Sequence, residues 1–175
     1  MHDIEVEDHA EAMLEYPNGA SGYFYVSTCE VGERVLEIVG DRGKLQLVGG
    51  TPSFWRFEPA VSEFNRTNTE MWGAPAARRA ELDVQECENG HHVILRNFAR
   101  AILYGEPLIS PGEVGLASLE LANAIILSSY KGKPVRIPIG RRQYDRLIAR
   151  LRSGSRFRDE WGETKPETDP RFKKR

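Results

Sequence analysis

Between Ala10 and Val48 apolar and polar residues alternate with a period of two, and no other feature constrains the fold so tightly. Ala10, Ala12, Leu14 and Tyr16 alternate with Glu11, Met13 and Glu15. After Pro17-Asn18-Gly19, a second run sets Gly22, Phe24, Val26 and Thr28 on one face and Tyr23, Tyr25 and Ser27 on the other. A third opposes Leu36 and Ile38 to Val35, Glu37 and Val39, and a fourth opposes Leu45 and Leu47 to Lys44, Gln46 and Val48. Successive strand side chains point to opposite faces of a sheet, so this pattern predicts strands. Asn18-Gly19 and Gly40-Asp41-Arg42-Gly43 read as turns, because glycine takes positive φ at little cost. The expectation is an antiparallel meander of four strands.

Beyond Gly49-Gly50, Ser53 to Phe57 predicts one further strand. Glu58 to Leu82 is broken by Pro59, Asn65, Gly73 and Pro75 and reads as a long loop. Trp72 either anchors that loop to the surface or belongs to a flap over a substrate. Leu82 to Gln85 returns as a short edge strand. From His91 to Tyr104 the apolar residues Ile94, Leu95, Phe98, Ala101 and Ile102 recur at three- and four-residue spacing, which predicts an amphipathic helix stopped by Gly105 and Pro107. Ser110-Pro111-Gly112-Glu113 reads as a capping box opening a second helix to about Tyr130, apolar nearly all round from Leu119 to Leu127. Val135 to Ile139 reads as a closing edge strand, and Tyr144, Leu147, Ile148 and Leu151 mark a third helix. The fold class expected is α+β: a mostly antiparallel, open-faced sheet with helices packed on one face.

A chain of 175 residues is long enough to bury one sizeable core. Residues 1–152 read as the folded domain. Residues 153–175 are rich in Arg, Lys, Glu, Asp and Pro and read as an extended or disordered tail. A formal charge of −2 argues against general nucleic-acid binding. No run of about 18 apolar residues occurs, so no membrane span is expected. Met1 to Glu5 lacks the features of a signal peptide, and Cys29 and Cys87 fit a reduced, cytoplasmic protein.

Several segments in fixed order are familiar: Val6-Glu7-Asp8-His9-Ala10, Tyr16 to Ala20, and Leu36 to Gly43. They continue with Asn97 to Ile102, Gly105-Glu106-Pro107, Leu121 to Ile125 and Val135 to Pro138. From about Ile4 to Ile139 this series resembles the C-terminal domain of the glucose-fructose oxidoreductase/inositol dehydrogenase (Gfo/Idh/MocA) family. The resemblance implies an NAD- or NADP-dependent sugar or polyol oxidoreductase. Complete members also carry an N-terminal Rossmann domain, a Glu-Lys-Pro motif and an Asp/His pair on a helix, and none of the three is found in this sequence. The glycines of Gly112-Glu113-Val114-Gly115 fall inside a helix rather than after a strand. The chain is therefore expected to bind no cofactor alone and to lack catalytic residues.

Carried over from the family, Thr28, Cys29 and Glu30 are the positions expected to line the substrate pocket of a complete protein, although an ordinary strand connection accounts for them too. Cys29 has no basic partner nearby in sequence that would make it a nucleophile. His9 reads as an exposed or half-buried strand residue. His91 and His92 point about 100° apart on a helix and do not chelate one metal. Two functions remain open: the substrate-binding and oligomerisation half of a dehydrogenase, or a free-standing binding module. The expected partners are a second copy through the open sheet face, the missing Rossmann half, and a small-molecule substrate.

Overall fold

A computed structural model describes residues 4–84 and 88–155. The chain divides into two compact units, one formed by residues up to Val26 and from Gly90, the other by Ser27–Asn89.

The first unit contains a hairpin of β1 (His9–Glu15) and β2 (Ser21–Ser27), whose last residue opens the second unit, and three helices. The hairpin turn forms where the sequence places it. Gly19 has a φ of +85°, and its amide donates to Tyr16 O at 2.9 Å. The Asn18 side chain accepts from Ala20 N at 3.1 Å, the local bond that makes Asn a turn residue. Ala10, Ala12 and Leu14 are half-buried while Glu11, Met13 and Glu15 are exposed, as the alternation requires.

The helix α2 (His91–Tyr104) ends at Gly105 in the left-handed conformation, where its amide donates to Ala101 O. Gly132 closes α3 (Gly112–Lys131) in the same way. Ser110 does not cap α3: the cap residue is Pro111, without a side-chain hydrogen bond. Starting one residue later puts Glu113 in the first turn, where it favours the helix dipole but cannot close the box. The C-terminal half of α3 is buried at Ala124 (4% exposed) and Leu127 (3%). Its start is open, with Val114, Leu116 and Leu119 each more than half exposed. Leu147 (6%) on α4 (Arg141–Ser153) completes the fully buried set among the described residues.

Val135–Ile139 is not a strand. Pro134 and Pro138 have no N–H to give a ladder. Ile139 N donates instead to Glu120 Oε1 on α3 at 2.9 Å.

The second unit is a four-stranded antiparallel sheet in sequential order: β3 (Val35–Gly40), β4 (Gly43–Val48), β5 (Thr51–Glu58) and β6 (Ala76–Ala80). The single meander is thus corrected: β1 and β2 form their own two-stranded sheet. Thr28 to Arg34 intervene as irregular backbone, too long for the tight turn that would fix a hairpin register. The last edge strand is Ala76–Ala80 rather than Leu82–Gln85, of which 82–84 is irregular and Gln85 lies outside the described residues.

Inside the sheet the two turns differ. Val48 pairs with Thr51 across Gly49 (φ +56°) and Gly50 (φ +90°), the mirror-type turn that suits strand twist. Gly40 pairs with Gly43 across Asp41-Arg42, and neither glycine has positive φ. Gly43 is required for space instead. A Cβ there would collide with Trp55 O and sit 2.9 Å from the Phe54 ring.

The segment expected to be one long loop contains a short helix, α1 (Val61–Thr67), as well as β6. Asp41 explains its start: Oδ1 accepts from Ser62 N at 2.7 Å and Oδ2 from Ser62 Oγ at 3.0 Å. Trp72 is almost fully exposed, so it does not anchor the segment.

Candidate functional site

The two faces of the sheet have different chemistry. One carries the row Ile38, Leu45, Phe54 and Ala80, each opposite the next across the ladder. The other carries a polar network built on Lys44. Its Nζ lies 3.2 Å from Glu37 Oε2 and 4.9 Å from the centre of the Trp55 ring. Gln46 also donates to Glu37, and Arg79 to Ser53 Oγ at 3.3 Å. Val35 and Val39 share this face and are both more than half exposed.

Thr28, Cys29 and Glu30 follow directly on β2. Ser27 Oγ accepts from Cys29 N at 3.2 Å and lies 3.1 Å from Cys29 Sγ. This short side-chain bond turns the backbone out of the strand, because the Ser27 hydroxyl replaces a ladder partner. Cys29 is half-buried, and Thr28 and Glu30 are exposed. The three residues therefore form a polar, accessible bend.

A second polar cluster, not expected from the sequence, lies on the hairpin. The Tyr23 hydroxyl donates to Glu11 Oε2 at 2.8 Å, and His9 Nε2 lies 3.2 Å from Glu11 Oε1. The His9 ring meets Tyr25 edge-on, with centroids 5.3 Å apart. The bond from Tyr23, then the one from His9, holds the Glu11 carboxyl below its ordinary range. The same bond to Glu11 pushes the Tyr23 phenol up. Period-two alternation was the available signal, since it puts His9 and Glu11 on one face of β1. The cluster is open to water, so its charges act in high dielectric and have little leverage for catalysis.

Other residues that made the sequence familiar turn out to fasten the helices. Asn97 Nδ2 donates to Pro107 O at 3.0 Å, and its Oδ1 accepts from Ile109 N at 2.9 Å. Arg100 Nε reaches both Glu106 carboxylate oxygens at 2.8 Å, Nη2 adds a further bond, and the guanidinium lies over Tyr104. Together they fix the turn between α2 and α3.

Among the described residues no three His, Cys, Asp or Glu side chains gather as a metal site. His91 and His92 are exposed at the start of α2, and Cys87 lies outside the described residues. No described helix is long and apolar enough to cross a membrane. A dinucleotide pyrophosphate needs a glycine-rich turn between a strand and a helix. Gly112 and Gly115 lie in the first turns of α3, preceded by irregular backbone. Gly112 and Gly115 are therefore not a turn of that kind.

No curated protein matches the chain. The oxidoreductase family's C-terminal alpha/beta domain matches residues 2–137, nearly the span that carried the resemblance. With alternating strands, turn glycines and the α2–α3 fastening all inside that match, the chain belongs to the C-terminal α/β domain of the Gfo/Idh/MocA oxidoreductase family.

Proposed function

We propose that this chain is the substrate-binding and subunit-contact half of an NAD- or NADP-dependent oxidoreductase acting on a sugar or polyol. The observation that carries this reading is the family match over residues 2–137. Dinucleotide chemistry then belongs to a Rossmann half, and this chain presents polar groups to a hydroxyl-rich substrate. Thr28, Cys29 and Glu30 are suited to that role, as a hydroxyl, a thiol and a carboxylate on one accessible bend. A carboxylate accepts hydrogen bonds from neighbouring substrate hydroxyls, and the half-buried Ser27–Cys29 pair stiffens the backbone beneath it. On the β3–β6 sheet, exposed Val35 and Val39 supply apolar surface for a second copy.

The test is a titration of the chain, followed by amide NMR, with cyclic and linear polyols and separately with NADH and NADPH. Polyols are expected to shift the amides of residues 28–30, and the dinucleotides to give no saturable change. Micromolar dinucleotide binding, or polyol shifts confined to other segments, would overturn the reading.

A further inference from the structure

Four cations stand around one groove that has no carboxylate on its walls. Between α3 and α4 a hollow of about 520 Å3 has Leu127 and Leu147 at its base, with Tyr130, Lys131, Arg146 and Arg150 around them. A second hollow of about 290 Å3 shares Leu127, Lys131 and Gln143 with the first and adds Arg136. Lys131 Nζ donates to Gln143 Oε1 at 2.6 Å, so this bond bridges the two hollows. Among the described residues no Asp or Glu lines either hollow, and none of the four cations has a carboxylate partner.

Helix stability alone does not explain this charge. A cation is favoured in the last turn of a helix, which accounts for Lys131 and Arg150. Arg146 lies mid-helix instead, and Arg142, Arg146 and Arg150 follow one another at four-residue spacing, where like charges repel. Arg146 turns Nε to Arg142 O at 3.0 Å, which leaves the rest of its guanidinium for an acceptor outside the helix. Leu127 and Leu147 are buried and all four cations are exposed, so the groove is apolar below and cationic above. A bilayer is met by apolar side chains that protrude, and a nucleic-acid strand by several aromatic platforms. Here the leucines lie beneath the charges, and among the described residues Tyr130 is the one aromatic ring on the walls.

We propose that the α3–α4 groove binds an acidic peptide segment of a partner protein. Its carboxylates meet Lys131, Arg136, Arg146 and Arg150, and its apolar side chains lie over Leu127 and Leu147. A guanidinium takes a carboxylate in a two-pronged fork, which fixes direction as well as charge. Exposed ion pairs are individually weak, so charge alone would hold such a segment poorly. Apolar side chains seated between the pairs add burial and exclude water from them. Every residue that lines the groove belongs to the helical unit.

The test is fluorescence anisotropy of a fluorescein-labelled peptide of glutamates carrying one Trp and one Leu, titrated with the full chain at low salt. Saturable binding in the micromolar range is expected, with amide NMR shifts at Leu127, Tyr130 and Leu147. The Arg146→Glu/Arg150→Glu chain should bind about tenfold more weakly or worse, since like charges then face each other. A peptide of lysines with the same Trp and Leu should bind that reversed chain and not the native one. Replacing the peptide's Trp and Leu by Ser should also cost about tenfold, through lost apolar burial. Both arginines are exposed, so circular dichroism should show the variant folded. Arg66→Glu/Arg78→Glu, exposed and outside the groove, should leave the affinity unchanged. No saturation at millimolar chain, or binding indifferent to charge reversal or to loss of the apolar side chains, would overturn the proposal. So would tighter binding of oligothymidine or phosphatidylserine vesicles through the same arginines.

Discussion

The helical unit and the sheet unit keep their structure in different ways. The helical unit has the only fully buried side chains among the described residues: Ala124, Leu127 and Leu147, where α3 meets α4. Its loops are tied by side chains, through Asn97 to the backbone of 107 and 109, Glu120 to Ile139, and Ser128 to Lys133. In the sheet unit no described residue is fully buried. Its order comes from three antiparallel ladders and from two turns whose glycines serve different needs, positive φ at Gly49-Gly50 and space at Gly43. One unit depends on a few packed side chains, the other on backbone register.

The sharpest way to break this comparison is Leu127→Ala. It opens a cavity in a core of three residues and should cost about 2–5 kcal/mol, read as a lower urea midpoint by circular dichroism. Ile38→Ala in the sheet, at a side chain 56% exposed, should cost under about 1 kcal/mol, since little area leaves the protein interior. Equal losses at the two sites would erase the contrast.

Gly43→Ala attacks register instead. The new methyl must push against the Trp55 carbonyl and the Phe54 ring, a strain of about 1–3 kcal/mol. The unfolding midpoint and the Trp55 emission should both move. An unchanged midpoint would mean that the β4–β5 ladder yields freely. Asn97→Ala removes two hydrogen bonds from the α2–α3 turn and should cost about 1–2 kcal/mol. No change would show that water replaces both.

The smallest effect is the one that depends on pH. The Arg100 guanidinium, through its hydrogen bonds and then its charge, holds the Glu106 carboxyl below its ordinary range. A carboxyl depressed in the folded state contributes stability above its unfolded pKa and loses it as pH falls through the folded one. The midpoint difference between the native chain and Glu106→Gln should therefore be present near pH 7 and vanish in acid. Both side chains are in water, so the difference is small, and a gap that widened in acid would contradict the assignment.

Much of the secondary structure was legible because period and punctuation agree. α2 begins and ends where apolar spacing and Gly105 place it, and the strands of the 35–48 region fall where alternation does. What the sequence hid were partners far along the chain. Val135–Ile139 has strand composition, yet Glu120, nineteen residues earlier, takes its amide. α1 and β6 were missed because Asp41 and the β5 edge supply what local sequence lacks. Ser110 obeyed the capping pattern and still lost its place to Pro111. The bend at Thr28–Glu30 was identified from the family, whereas the Tyr23–Glu11–His9 cluster needed the hairpin to bring two strands together.

The most direct test of the proposed role as a subunit-contact domain is sedimentation equilibrium of the chain at micromolar concentration. On the β3–β6 sheet, Val35 (58% exposed) and Val39 (61%) are the apolar side chains proposed to meet a second copy. The predicted result is a homodimer of twice the 19.8 kDa chain mass, or a higher assembly built from it. A clean monomer across the micromolar range would contradict that role.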